Sequence, residues 1–251
     1  MPDKISCREG VYPGGWKVAI EYLPNAGIKY VELGDYDKPE LVKVAAACRA
    51  KGVTPLTIAG GVDTDNPDSV ARVKAECEAA RDAGVQFYFL SANGKDRAAA
   101  MKTLAQLGRF AARCGVTLCL ETHPPFCLNA GEMLKTIAEV NCPNVRINFD
   151  TANIMYYNEG MNSAEELEKV VEHVASLHLK DTDGGFHSLN FPVLGKGVVD
   201  FSRIFRILHD AAFTGPLTLE LEGPIIDKLD LAGRDEAVVA CVKHIDRYAA
   251  L

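Results

Sequence analysis

Four side chains of the kind that ligate hard cations recur at one position of a repeating pattern. Glu121 closes VTLCLE, Asp150 closes VRINFD, His178 stands in SLHLKD and Glu220 in PLTLELEG. A short apolar run leads to each, and a loop and a helical pattern follow. Three carboxylates and an imidazole gathered at one point are costly as bare charges, and a divalent cation removes that cost. The oxygen-rich set suits Mn²⁺ or Mg²⁺ with open positions for water or substrate. Co²⁺ and Zn²⁺ also fit, whereas nothing resembles a thiolate set for structural zinc.

The elements that must position these residues alternate along the whole chain. The patterning predicts strands at 4–7, 30–34, 54–59, 85–91, 116–121, 145–150, 175–180 and 217–222. It predicts helices at 16–25, 39–51, 67–83, 95–114, 130–140, 163–174, 200–212 and 234–249. Eight β/α pairs in about 250 residues are what a single α/β domain of the (β/α)8 TIM-barrel type requires. Gly27, Gly52, Gly84 and Gly115 each stand between a helical pattern and a strand, where a left-handed cap is expected. Pro39 and Pro67 lie near helix starts, where a missing N–H is harmless. The longest irregular stretch is 181–199, and long loops in compact barrels are usually functional. No linker or composition shift divides the chain, so one domain over 1–251 is expected.

Strand parity sharpens the metal reading. Thr117, Cys119 and Glu121 share one face of the fifth strand. Arg146, Asn148 and Asp150 do so on the sixth, Ser176, His178 and Lys180 on the seventh, and Thr218, Glu220 and Glu222 on the eighth. The intervening residues are Leu, Ile, Val or Phe, which belong under the outer helices. The polar set must therefore face inward, toward the strand C-termini where barrel active sites lie. A cation at that mouth would be catalytic rather than structural.

Composition narrows the partners. The chain is 48% hydrophobic and 24% charged, the balance of an ordinary globular protein. A net charge of −7 gives no basic stripe for nucleic acid. No apolar run approaches a membrane span, and the start MPDKISCREG does not read as a leader. The eight cysteines are scattered, without a CxxC pair, and are expected to be reduced core residues of a cytoplasmic protein.

The same segments carry a family likeness. LETHP at 120–124, NFDTAN at 148–153, LHLKD at 177–181, PVLGKGVVDF at 192–201 and GPLTLELEG at 215–223 resemble the sugar phosphate isomerase/epimerase superfamily, with its xylose isomerase-like barrel. Members include ketose 3-epimerases, hydroxypyruvate isomerase, inosose dehydratase and dehydroshikimate dehydratase. The resemblance implies Glu121, Asp150, His178 and Glu220 as metal ligands, with Glu121 and Glu220 flanking the substrate carbon as acid and base. It also favours Glu220 over Glu222, the other inward glutamate of ELE. Two positions depart from the ketose-epimerase pattern: Asn153 replaces a common histidine, and Cys127 replaces the usual glutamate. Both point away from a simple free-ketose epimerase.

This constellation supports abstraction of a proton beside a carbonyl, giving an enediolate stabilised by the metal. Lys180 is the candidate second cation for that charge. Reprotonation on the opposite face gives epimerisation, and on the neighbouring carbon, aldose–ketose isomerisation. Loss of a β substituent gives dehydration or glycoside elimination, so a lyase acting on a keto-sugar, 3-keto-glycoside or cyclic polyol is the alternative. Glu32, His123, Asn153, His187 and Lys196 are candidate substrate contacts, and Tyr12 and Trp16 a candidate apolar wall for a sugar ring. A metal-dependent endonuclease for abasic DNA uses a related barrel, but it needs more histidines than the six here and a less acidic chain. A non-catalytic sugar-binding barrel would be expected to have lost a ligand, and all four are present. Related barrels often dimerise; a homo-oligomer is left open, since no stretch identifies an interface.

Overall fold

In a computed structural model, which describes residues 4–248, eight parallel strands close into a barrel in the order β1-β2-β3-β4-β5-β6-β7-β8. The strands are β1 (Ile5–Arg8), β2 (Tyr30–Leu33), β3 (Thr54–Asp63), β4 (Phe87–Asn93), β5 (Thr117–Glu121), β6 (Val145–Asp150), β7 (Val174–Leu179) and β8 (Leu217–Leu219). The outer helices are α1 (Trp16–Tyr22), α2 (Lys38–Ala50), α3 (Pro67–Ala83), α4 (Arg97–Cys114) and α5 (Ala130–Val140). After β6 come a short α6 (Asn153–Tyr157) and α7 (Ser163–Val170). The circuit ends with α8 (Phe201–Asp210), a four-residue α9 (Pro224–Asp227) and α10 (Leu231–Ile245).

Local chemistry sets these boundaries. Asp37, Asn66, Asp96, Asn129, Asn162, Asp200 and Asp230 each accept a backbone N–H from the first turn of the helix they precede. Gly84 and Gly115 close α3 and α4 with φ of 68° and 72°, a left-handed backbone that costs glycine little. The remaining differences from the pattern-based boundaries are at element ends. The eighth strand stops at Leu219 rather than 222, because its pairing with β7 ends with Leu179↔Leu219. The helix expected over 163–174 ends at Val170 and continues as a 3-10 turn, Val171–His173. The last helix ends at Ile245, with a 3-10 turn over Asp246–Tyr248, and residue 249 of the expected span lies outside the described residues.

The alternation works as charge and packing demand. Leu118, Leu120, Ile147, Phe149, Leu177, Leu179, Leu217 and Leu219 point outward and are sealed beneath the helices. The barrel lumen is polar instead, with Ser6, Thr57, Cys119, Asn148, Ser176 and Thr218 buried in it. There the Ser176 hydroxyl donates to Asn148 Oδ1 at 2.6 Å. Arg146, on the same face of β6, leaves the lumen at the opposite end and donates to the Glu172 carbonyl. All eight cysteines are buried and free. Among the described residues no helix is long and apolar enough to cross a membrane.

Candidate active site

The register raises the chemical residues step by step around the barrel. Glu121 pairs with Asn148, Asp150 pairs with His178, and Glu220 lies two residues beyond Thr218, the partner of His178. The climb is what a tilted, closed barrel imposes on neighbouring strands. One oxygen each from Asp150 and Glu220 and one nitrogen of His178 lie within 4.8 Å of one another, all three residues buried. Nδ1 of His178 stands 3.1 Å from Glu220 Oε2 and 4.0 Å from Asp150 Oδ2.

Asp150 is fixed from behind. Its Oδ1 accepts the backbone N–H groups of Ala152 and Asn153 at 2.8 and 2.9 Å, which leaves Oδ2 toward the lumen. Oδ2 and Nδ1 of His178 are buried without hydrogen-bond geometry to any partner, although charged neighbours stand at ion-pair distance. Buried acceptors in that condition are what a cation site requires. Nε2 of His178 meets Glu32 at 3.2 Å, so the ring is oriented with Nδ1 toward the two carboxylates.

Lys180, one residue past the end of β7, reaches the same point. Its Nζ lies 2.9 Å from Asp150 Oδ2, 2.8 Å from Glu220 Oε2 and 2.7 Å from Glu222 Oε1. Glu222 sits at the rim, 47% exposed, and stands outside the group formed by Asp150, His178 and Glu220. Arg8, unforeseen from sequence, donates to Glu220 Oε1 and stands 3.4 Å from Glu32 Oε1. Its signal was available, because Ser6 and Arg8 alternate with Cys7 as the other lumenal sets do, but the first strand was expected to end one residue earlier.

Glu121 is held apart from the trio. Ser91 of β4 donates to its Oε2, and the Asn153 amide approaches Oε1 at 3.4 Å. The electrostatics of the two glutamates diverge accordingly. Burial, with Glu220 nearby, raises the Glu121 carboxyl above its ordinary range. Burial opposes the charge of Glu220 too, but His178, Lys180 and Arg8 hold it well below that range. Burial pushes Asp150 up to about 7 despite Lys180. His178 is raised well above 6.5 by Glu220 and Glu32, against the effect of its own burial.

Above these groups is a cavity of about 270 Å³ lined by Arg8, Phe89, Ser91, Glu121, Asn153 and Glu220, with an upper wall of Tyr156, Tyr157, Leu189, Phe191 and Glu222. Of the other sequence candidates, Glu32 lies beneath His178, not on the cavity surface. His123 turns its ring to the Pro124 carbonyl and against Tyr157. His187 stacks on Tyr156 at the rim, with centroids 5.2 Å apart. Lys196 is exposed in the loop after β7 and does not line the cavity. Tyr12 and Trp16 do not form the apolar wall. Tyr12 is buried against Tyr22, with its hydroxyl on Asp235, and Trp16 packs against the outer core. The aromatic wall comes instead from α6 and the loop after β7, segments with no strand parity to reveal them.

That loop is organised by Asp181, a second residue sequence reasoning passed over. Its carboxylate accepts the backbone N–H groups of Thr182, Gly195, Gly197 and Val199 at 2.8–3.1 Å. A Cβ on Gly197 would lie 2.3 Å from Asp181 Oδ1, so the close approach demands glycine.

Comparison with known proteins places this geometry in context. The family model described as xylose isomerase-like TIM barrel matches residues 20–244. L-ribulose-5-phosphate 3-epimerase UlaE of Escherichia coli (strain K12) is 29% identical over 140 residues, 55% of this chain and 48% of that protein. The match thus spans about half the length of that curated relative. D-psicose 3-epimerase from Clostridium cellulolyticum H10, solved with D-tagatose, superposes with a TM-score of 0.79 at 16% identity, covering 98% of each chain. The IolI protein, solved with a bound zinc atom, gives 0.79 at 21% identity, again over 98% of each chain.

Proposed function

Because the chain belongs to the xylose isomerase-like TIM-barrel family, we propose that it is a divalent-metal-dependent sugar isomerase or epimerase acting on a keto-sugar or polyol. The observation that carries this reading is the convergence of Asp150 and His178 on Glu220, which lines one cavity together with Glu121. Asp150, His178 and Glu220 would hold the cation, with Glu121 able to join them, and Mn²⁺ suits this donor set best. When bound, the cation supplies Lewis acidity to vicinal substrate oxygens.

The protein's own groups then move protons. Glu220, kept ionised by Arg8 and Lys180, is suited to take a proton from the carbon beside the carbonyl. Glu121, whose carboxyl favours its protonated form more than an exposed glutamate does, is suited to give one from the other side. Lys180 and Arg8 balance the negative charge that develops on the substrate oxygens. Asn153 keeps the Glu121 carboxylate in place through Oε1 while also donating to the Thr122 carbonyl at 3.2 Å. The other departure, Cys127, is a buried thiol of the core and takes no part.

Proton exchange tests the reading. The Mn²⁺-loaded protein incubated with keto-sugars in D₂O should place deuterium beside the carbonyl and yield a rearranged sugar by NMR. An unsaturated product would instead assign β-elimination from the same intermediate, the reading favoured if the substituent-binding wall described below serves a leaving group. Absence of both exchange and elimination across free and substituted keto-sugars would defeat the proposal.

A further inference from the structure

We propose that the sugar taken by this site is uncharged and carries an apolar or aromatic substituent that rests on the wall formed by Tyr156, Phe186, His187, Leu189 and Phe191; this rests on the function proposed above. Two independent features lead to it, one electrostatic and one steric.

The electrostatic feature is the absence of a spare cation. Among the described residues lining the cavity, Arg8 is the sole basic side chain, and Glu220 and Glu32 already occupy it. Lys180, just below, is shared by Asp150, Glu220 and Glu222. Five carboxylates (Glu32, Glu121, Asp150, Glu220 and Glu222) thus surround two permanent cations, and even with Glu121 protonated and a dication bound the cluster has no excess positive charge to draw an anion. Barrels that grip a phosphate commonly use loops after strands seven and eight and the start of a short extra helix. Here that short helix, α9, opens with Pro224, which has no N–H, and follows Glu222, which would repel an anion. A phosphorylated sugar would therefore meet the Glu222 carboxylate with no uncommitted cationic side chain among the described residues lining the cavity.

The steric feature is an apolar ledge continuous with the cavity. Leu189 and Phe191 line the cavity, and Phe191 lies 6.0 Å from the Tyr156 ring. His187 stacks on Tyr156, and Phe186 packs on His187 at 4.1 Å. His187 adopts a positive φ of 53°, pinned by its N–H on the Tyr156 carbonyl. A non-glycine residue held there reports a loop fixed in one shape, against α6, rather than a loose tether. The most exposed large apolar side chains among the described residues are Phe186, Leu189 and Val198, at 52–53%, all on this loop. Apolar groups left open beside a site mark a surface that is covered when the ligand arrives. The cavity, about 270 Å³, has room for a single sugar unit, so a substituent must leave it over this ledge.

Three probes of one skeleton separate the outcomes: 3-keto-glucose, its 6-phosphate and its phenyl β-glycoside. Solvent-deuterium exchange on the Mn²⁺-loaded protein should give the phenyl glycoside a kcat/KM about tenfold or more above the free sugar, the worth of covering one ring. The phosphate should fall about a hundredfold below it, from uncompensated like charge. Saturation-transfer NMR on the metal-free protein should mark the phenyl protons. In the Phe186→Ser/Leu189→Ser variant, folded by circular dichroism, both the phenyl preference and the saturation transfer should be lost. Exchange of the phosphate at or above the rate of the free sugar overturns the proposal while leaving the proposed chemistry intact. A phenyl preference that survives the double substitution overturns it too. So does loss of a dimer in that variant with unchanged phenyl binding, which would assign the ledge to a second copy. If none of the probes exchanges, the proposed chemistry is what fails, and phenyl saturation transfer alone still decides the ledge.

Discussion

Glu32, on β2, meets Nε2 of His178, on β7, at 3.2 Å across the floor of the cavity. The contact fixes which nitrogen of the imidazole faces Asp150 and Glu220, and a carboxylate behind a ligating histidine also raises its basicity. Glu32→Gln keeps the shape but removes the charge and the obligate acceptor. Isothermal titration with Mn²⁺ should show affinity reduced by about 10–100-fold in this variant. Unchanged affinity would mean that Glu32 serves only to pair with Arg8.

Metal binding should be strongly pH-dependent, with a sign set by the trio. Asp150 is raised by burial to about 7, and His178 is raised well above 6.5 by Glu220 and Glu32 despite its burial. Groups raised on folding stabilise the metal-free protein fully below their unfolded values, and that contribution is lost as pH rises through the folded values. For Asp150 the window runs from 3.8 to about 7. Glu220, lowered overall by His178, Lys180 and Arg8 against its burial, has the opposite sign and loses its contribution as pH falls. A cation needs Asp150 ionised and Nδ1 of His178 bare, so protons compete with it. The thermal stabilisation by Mn²⁺ should therefore grow between about pH 5.5 and about pH 8, with apparent affinity rising on the order of tenfold per unit below neutrality. A flat profile would exclude this ligand set.

Much of this arrangement was legible because barrel geometry converts strand parity into position. The alternation of Asp150, His178 and Glu220 with Phe149, Leu177, Leu179 and Leu219 required no tertiary knowledge, since only one face could lie under helices. Positions with no such alternation were not legible. Tyr156 sits on the five-residue α6, and Phe191 lies in irregular chain whose shape depends on Asp181 and its four N–H donors. Arg8 obeys parity but lies one residue beyond the expected end of β1, whereas Ser91 lies inside the expected fourth strand, 85–91, as its last residue and was passed over because a lone serine there carries no ligand chemistry. β3 and β4 pair as far as Asp63↔Asn93, and that extension carries Ser91 to the level of Glu121.

Glu121 and Glu220 differ in surroundings, so their amides should fail differently. Glu220 belongs to the trio and Glu121 does not. Glu220→Gln should lose both turnover and Mn²⁺ affinity. Glu121→Gln should lose turnover by about 10³-fold or more while retaining most of the affinity, as for removal of a general acid or base together with its charge. Steady-state kinetics beside calorimetry on the same preparations separates the two. Equal loss of metal in both variants would place Glu121 among the essential ligands.

Asp181 makes the loop over the cavity a testable unit. Its buried carboxylate accepts from Thr182, Gly195, Gly197 and Val199. Asp181→Ala would strand those N–H groups in a buried turn, at a cost of about 3 kcal/mol. Urea unfolding should show that loss, and limited proteolysis should cut between 183 and 198 at concentrations that leave the parent chain whole. The ledge of Phe186, His187 and Leu189 hangs from the same segment, so KM for a substituted sugar should rise more than kcat falls. Destabilisation below about 0.5 kcal/mol with an uncut loop would show that the turn is held by Phe191 and Leu194 packing instead.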